Sequence, residues 1–200
     1  GAISVAGGNL LAVALAHGLT IAVFVSATGH ISGGQLNPAV TLGLFVARKM
    51  TLADSARYVL SQLAGAVSAG LVCLVLFDRK VVIAGTPAID KLSVIQGISV
   101  EAILTFFLVF VVFGTAVDPR GPKIGGLAIG LTVTLDILFG GPLTGAAMNP
   151  ARVFGPAVAA NFWAYHYVYW VGPLLGGAAA GALYGRVFLP RESTARVRSK

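Results

Sequence analysis

SGGQLNPAVTLG (residues 32–43) returns as TGAAMNPARVFG (residues 144–155), with an arginine added directly after the second Asn-Pro-Ala. Asn149 lies 112 residues after Asn37 (149 − 37), and that offset can be tried on the rest of the chain. It carries the apolar stretch 124–141 onto 12–29 and the stretch 166–188 onto 54–76, so the repeat reaches well beyond the motif. The stretch 95–117 maps to positions −17 to 5 and finds no counterpart. Since the sequence also starts at Gly1 rather than Met, a first spanning helix ahead of it is expected.

The composition is 56% hydrophobic and 10% charged, against roughly 45–50% and 25% in soluble domains. Five apolar stretches have the length of about 20 residues that crosses a hydrocarbon core: 8–28, 52–77, 95–117, 124–141 and 166–188. The expected fold is an all-α membrane bundle. Glycines at small-xxx-small spacing, Gly177, Gly181 and Gly185 or Gly126 and Gly130, suit close helix contact in lipid. Cys73 has no partner in the chain, and no cluster of His, Cys and carboxylate falls at ligand spacing, so neither disulfide, metal nor cofactor is expected.

The cations alternate between helix ends. Arg48, Lys49, Arg57, Arg120, Lys123, Arg186 and the basic tail 190–200 fall on one side, and Arg79, Lys80 and Lys91 on the other. The positive-inside rule places the first set, with the carboxyl terminus, in the cytoplasm. The net charge of +7 is thereby a matter of topology, with no nucleic-acid partner implied.

A three-helix unit reverses direction across the membrane from one copy to the next, so two in tandem form an inverted repeat whose equivalent elements meet near the midplane. Here the units are 1–93, lacking a helix, and 94–189, within one domain. The glycine-rich runs 29–34 and 140–145 are expected to break the helices and re-enter the bilayer. Asn is a strong N-cap and Pro is favoured at N1, so Asn37-Pro38-Ala39 and Asn149-Pro150-Ala151 each start a helix. About nine residues at 1.5 Å each span roughly half of a 30 Å core. Non-helical backbone at that depth is tolerated where it lines a water-filled path. Two helix N-termini facing that path set a positive field in it. With the asparagine oxygens occupied by capping, their amide N–H groups are expected to point into the lumen, which suits neutral hydrogen-bonding solutes and opposes cations.

The motifs GHISGGQLNPAVTLG, TGAAMNPAR, EAILTFFLVF around Glu101 and YVYWVGPLLGG resemble the aquaporin, or major intrinsic protein, family over essentially the whole chain. The resemblance implies an aquaporin-like channel with five of six spanning helices and two re-entrant half-helices in this sequence. It also implies a homotetramer with one pore per subunit, a passive path for water, and a loop-bracing role for Glu101. Counting from the two asparagines assigns the family's narrow filter to His17, Ile137, Ala146 and Arg152. Arg152 would supply five fixed donors and a charge that repels cations. An arginine in an apolar half-helix is costly unless it faces water.

The set His, Ile, Ala, Arg is similar to the plant tonoplast intrinsic proteins. Ile137 in place of a second polar wall predicts passage of water and small neutral solutes such as ammonia, hydrogen peroxide or urea. Val153 and Ala157, where glycerol facilitators resemble one another in carrying Asp and a basic residue, argue against glycerol, although Val153 itself departs from the commoner Ser or Ala. A multi-pass protein in contact with membrane lipid is expected, in the cell (plasma or inner) membrane, with the vacuolar membrane as the alternative.

Asp136 lies beside Ile137 in a spanning stretch and is expected to pack against a polar partner or near a subunit interface. His30 stands at a channel mouth or in a solvated loop, and His166 in an interfacial aromatic belt. Two other classes are weighed. An ion-coupled secondary transporter also uses inverted repeats, but it needs carboxylates in its path, and only Glu101 and Asp136 lie well inside the spans. For an enzyme, no Ser, His and Asp set shares a face.

Overall fold

The computed structural model describes residues 9–190; the expected basic tail lies outside that range from residue 191 on. In chain order the helices are α1 Leu10–Ser32, α2 Pro38–Val46, α3 Leu52–Leu76, α4 Arg79–Ala84, α5 Val94–Val112, α6 Gly125–Thr144, α7 Pro150–Ala160 and α8 Val168–Leu183. α5 and α8 continue through π-helical turns, Phe113–Val117 and Tyr184–Phe188. No strand occurs among the described residues, so the fold is all-α.

α1, α3, α6 and the continuous Val94–Val117 helix are long and apolar enough to cross a membrane. The fifth expected span is carried by α8 and its π turn. It is not among the helices that are long and apolar enough to cross a membrane: α8 itself has 16 residues, with Tyr169, Trp170, Pro173 and four glycines among them. α1 and α3 turn Leu, Val, Ile and Phe outward along most of their length, the pattern of a lipid-facing wall.

The repeat survives in three dimensions. Shifted by 112, the end of α6 at Thr144 falls on the end of α1 at Ser32, and α7 begins where α2 does. α1 packs along α6 and α5 along α8, while the half-helices α2 and α7 lie against α8 and α3 respectively. Glycine permits the closest of these approaches. A Cβ on Gly177 would stand 2.4 Å from the carbonyl oxygen of Ala39, and one on Gly181 2.2 Å from that of Gly43. α2, with Asn37 at its start, is therefore seated backbone to backbone on α8.

The expected break at 29–34 and 140–145 is corrected by several residues. α1 runs on through Gly29 to Ser32, and α6 through Gly140 and Gly141 to Thr144. Glycine is common in membrane helices, where an unmade backbone hydrogen bond is expensive, so the helices persist. They end at Gly33 and Gly145, whose φ values of 93° and 84° are left-handed and whose N–H groups donate back to Gly29 and Gly141. The re-entrant backbone is thus 33–37 and 145–149.

Tracing the spans puts the α2–α3 turn and the segment 118–124 on one face, here the Arg48 face. The segment 161–167 lies on the other, the Asn161 face. On the Arg48 face, Arg120 donates to the Asp118 carboxylate at 2.9 and 2.6 Å and to the Phe188 carbonyl, and Tyr184 donates to Asp118 at 3.3 Å. The Arg120 side-chain and backbone donors hold Asp118 well below the usual carboxylate range, and the network ties α5 to the end of α8.

Candidate pore lined by two asparagine-capped half-helices

Each half-helix starts as the sequence predicts. Asn37 Oδ1 accepts from the N–H of Ala39 at 2.9 Å, and Asn149 Oδ1 from those of Ala151 and Arg152 at 3.0 and 3.3 Å. Pro38 and Pro150 occupy N1. The side-chain amides do more than face a lumen, which corrects the expectation. Asn37 Nδ2 donates to the carbonyl of Met148 at 2.7 Å, and Asn149 Nδ2 to that of Leu36 at 2.9 Å. Leu36 and Met148 are repeat mates, so each loop is tied to the other by the same bond. A primary amide has two protons, and one remains on each asparagine for a solute.

The loop 145–149 is braced by Glu101, which is fully buried on α5. Its Oε1 accepts from Thr144 Oγ1 at 2.7 Å and Ala147 N at 2.9 Å, and its Oε2 accepts from Met148 N at 2.7 Å. Ala146 and Met148 have φ of 43° and 52°, a left-handed backbone that costs a non-glycine residue about 1–2 kcal/mol. The carboxylate supplies the compensation. Tyr169, equally buried, donates its hydroxyl to the carbonyl of Thr144 at 2.7 Å.

Thr144 and Tyr169 were not singled out from sequence as part of this brace. A signal existed for the first. Its repeat mate Ser32 makes the same bond, Ser32 Oγ accepting from Gly34 N at 3.3 Å as Thr144 Oγ1 accepts from Ala146 N at 3.2 Å. The loop 33–37 has a different support, built from Gln35, Thr41 and Gln62. Thr41 Oγ1 donates to Gln35 Oε1 at 2.8 Å, and Gln62 Nε2 donates to the carbonyl of Gln35 at 3.0 Å.

Between the half-helices and the walls of α1, α5 and α6 runs a cavity of about 590 Å³. His17, Ile137, Ala146 and Arg152 all line it, as do Asn37 and Asn149. Towards the Arg48 face its lining includes Gly34, Gln35, Lys49 and Met50 on one wall, with Val112 and Val117 opposite. His17 Nδ1 lies 2.8 Å from the carbonyl of Val13. A carbonyl only accepts, so Nδ1 is the donor there and Nε2 is left for the lumen. The Arg152 guanidinium takes part in none of the hydrogen bonds or ion pairs among the described residues, so its donors are available to whatever fills the cavity.

His30 is exposed and does not line the cavity. Asp136 is also outside it, and its Oδ2 is buried with no hydrogen-bond partner in the described residues, so the expected polar partner is absent there. An unsatisfied buried polar group costs about 1–3 kcal/mol. Asp136→Leu is therefore expected to raise the thermal unfolding midpoint of the detergent-solubilised protein by a few degrees, measured by the loss of helical circular dichroism. A fall would show that the carboxyl has a partner in the membrane.

A family model described as Major intrinsic protein matches residues 2–184. "Aquaporin TIP4-4" of Zea mays is 49% identical over 199 residues, covering 93% of this chain and 78% of the relative. "Aquaporin TIP2-1" of Arabidopsis thaliana is 46% identical over 190 residues, covering 90% and 73%. The X-ray structure of the aquaglyceroporin from Plasmodium falciparum superposes with a TM-score of 0.80 at 25% identity, covering 90% of this chain and 83% of that one. The matching family model, the close relatives and the shared fold agree, and the chain belongs to the major intrinsic protein family of membrane channels.

Proposed function

We propose that the chain forms a passive pore for water and for small neutral solutes such as ammonia, hydrogen peroxide or urea, and that it excludes protons and other ions. The observation that carries this reading is the cavity on which the two asparagine caps and His17, Ile137, Ala146 and Arg152 converge. Water passing Asn37 and Asn149 meets donors on one wall and apolar side chains, Leu108, Ile129 and Val133, on the other. Its oxygen turns to the asparagines, and no acceptor opposite relays a proton. Both half-helix N-termini and Arg152 set a positive field that disfavours cations.

His17, Ile137, Ala146 and Arg152 act in this reading as the selectivity filter, with Ile137 the wall that relaxes the demand for polarity. The two repeats, 1–93 and 94–189, form one channel domain, assembled as a homotetramer with the Arg48 face and the carboxyl terminus in the cytoplasm. Between the two membranes expected above, the TIP relatives favour the vacuolar membrane over the cell membrane. The chain is not an enzyme on this view. An ion-coupled transporter is the weaker alternative, since no carboxylate is among the residues lining the described cavity.

Stopped-flow light scattering of proteoliposomes under an osmotic step tests the pore. Fast shrinkage with low activation energy is expected, and shrinkage no faster than empty vesicles, with folded protein verified, would overturn the water reading. Saturable flux driven by an ion gradient would favour the transporter. For the filter, Ile137→His is expected to lower ammonia flux relative to water flux several-fold. An unchanged ratio would remove Ile137 from the determinants.

A further inference from the structure

The Asn161 face carries an aromatic cluster that the pore geometry leaves unused. His166 lies with its ring centroid 4.8 Å from that of Trp163 and 6.2 Å from that of Phe154, and Phe154 packs edge-on against Trp170 at 6.1 Å. Trp170 Nε1 donates to His166 Nε2 at 2.9 Å. An indole nitrogen only donates, so His166 Nε2 holds its lone pair and the ring proton sits on Nδ1. Trp163 Nε1 donates to Asn161 Oδ1 at 3.0 Å, and Asn161 is the left-handed residue that ends α7.

Phe154 stands on α7 two residues after Arg152, about 200° around the helix. The cluster therefore packs on the outer side of the helix whose inner side presents Arg152 to the cavity. We propose that His166 is a positioning residue for Arg152 and that its protonation lowers the permeability of the pore. The proposal rests on the channel reading above.

A protonated ring has N–H at both nitrogens, so Nε2–H would face the indole N–H of Trp170. The bond is lost, two donors oppose each other, and the ring must turn among neighbours whose centroids are 4.8 to 6.3 Å away. Phe154 and the start of α7 lose the support on that side.

The charged groups on the surrounding elements are Arg152 on α7 and Asp78, Arg79 and Lys80 at α4, where Arg79 Nε donates to the carbonyl of Ala160 at 2.8 Å. α8 contributes no charge but carries the Tyr169 phenol, the segment whose Ile89 packs on Val168 carries Asp90 and Lys91, and Tyr165 and Tyr167 are the titratable neighbours in the segment itself. Burial pulls the His166 imidazole below its ordinary value. The unprotonated arrangement is thus complete at neutral pH and is lost as the pH falls through that lowered value.

The test is water permeability of the full-length protein in proteoliposomes between pH 7.5 and 4.5. The wild type is expected to lose at least about threefold of its permeability in acid, reversibly. His166→Gln keeps an acceptor for Trp170 in its Oε1 and cannot titrate, so it should match the wild type at pH 7.5 and stay flat. Both tryptophans of the 200-residue sequence, Trp163 and Trp170, lie in the cluster. The tryptophan fluorescence of the wild type should therefore change with the same midpoint as its permeability, a readout that does not depend on the variant folding. A wild type flat in pH, an acid response kept in His166→Gln, or two different midpoints would each overturn the proposal. Absence of water permeability at every pH would overturn the channel reading itself.

Discussion

Glu101→Gln is expected to lower water permeability per folded channel by at least about tenfold. The carboxylate has one oxygen for Thr144 Oγ1 and Ala147 N and the other for Met148 N. An amide offers one acceptor. Turned either way, its NH₂ confronts a backbone N–H that has no other partner, at a cost of about 1–3 kcal/mol. The backbone it confronts is already strained, since Met148 sits at φ 52°.

Released, Met148 moves towards ordinary geometry and takes with it the carbonyl that accepts from Asn37 Nδ2. The damage thus passes from α5 through one loop to the cap of the opposite half-helix. Glu101→Ala removes both acceptors and should prevent recovery of folded protein. Glu101→Gln at wild-type permeability, with identical amounts of folded protein in the vesicles, would show that the loop is held by something other than this carboxylate.

The second large effect is expected at the contact of α2 with α8. Gly177→Ala would bring a methyl carbon to 2.4 Å from the Ala39 carbonyl oxygen, and Gly181→Ala to 2.2 Å from that of Gly43. The atoms in the way are backbone, so relief requires the half-helix to move. Overpacking of this kind costs about 1–3 kcal/mol, and each kcal/mol lowers the melting midpoint by roughly 2–4 °C in a domain of this size.

A fall of about 5 °C or more in detergent is expected for either variant, with Asn37 displaced and water permeability reduced in parallel. Gly177→Leu should yield no monodisperse protein. Unchanged melting and permeability in Gly177→Ala would mean that α2 does not sit on α8 as described.

Much of this is legible in the sequence. The capping role of Asn37 and Asn149 follows from residue type and position, because an Asn before Pro at the head of an apolar run satisfies otherwise orphaned N–H groups wherever the helix lies. The pairing of α1 with α6 and of α3 with α8 as repeat mates follows from one offset. The bracing of the loops was only half legible. Glu101 was reached through family resemblance, whereas Tyr169 and the Gln35, Thr41 and Gln62 group carry no local pattern that announces a partner distant in sequence. The helix ends lie beyond where the sequence suggests, because Gly29, Gly140 and Gly141 look like breakers in isolation. In lipid the penalty for an unmade backbone bond outweighs their intrinsic preference.

By itself the sequence determined a membrane bundle with an internal repeat, two half-helices starting at Asn37 and Asn149, and an arginine at the mouth of only one of them. Those properties depend on hydropathy, spacing and capping, which act within a few residues of each position. Only the tertiary structure decided that the two asparagines each hold the other loop's carbonyl, that Met148 is strained into place by Glu101, and that His166 accepts a hydrogen bond from Trp170. These are contacts whose energy depends on donors and acceptors meeting in a defined geometry, and nothing local to either partner specifies that geometry.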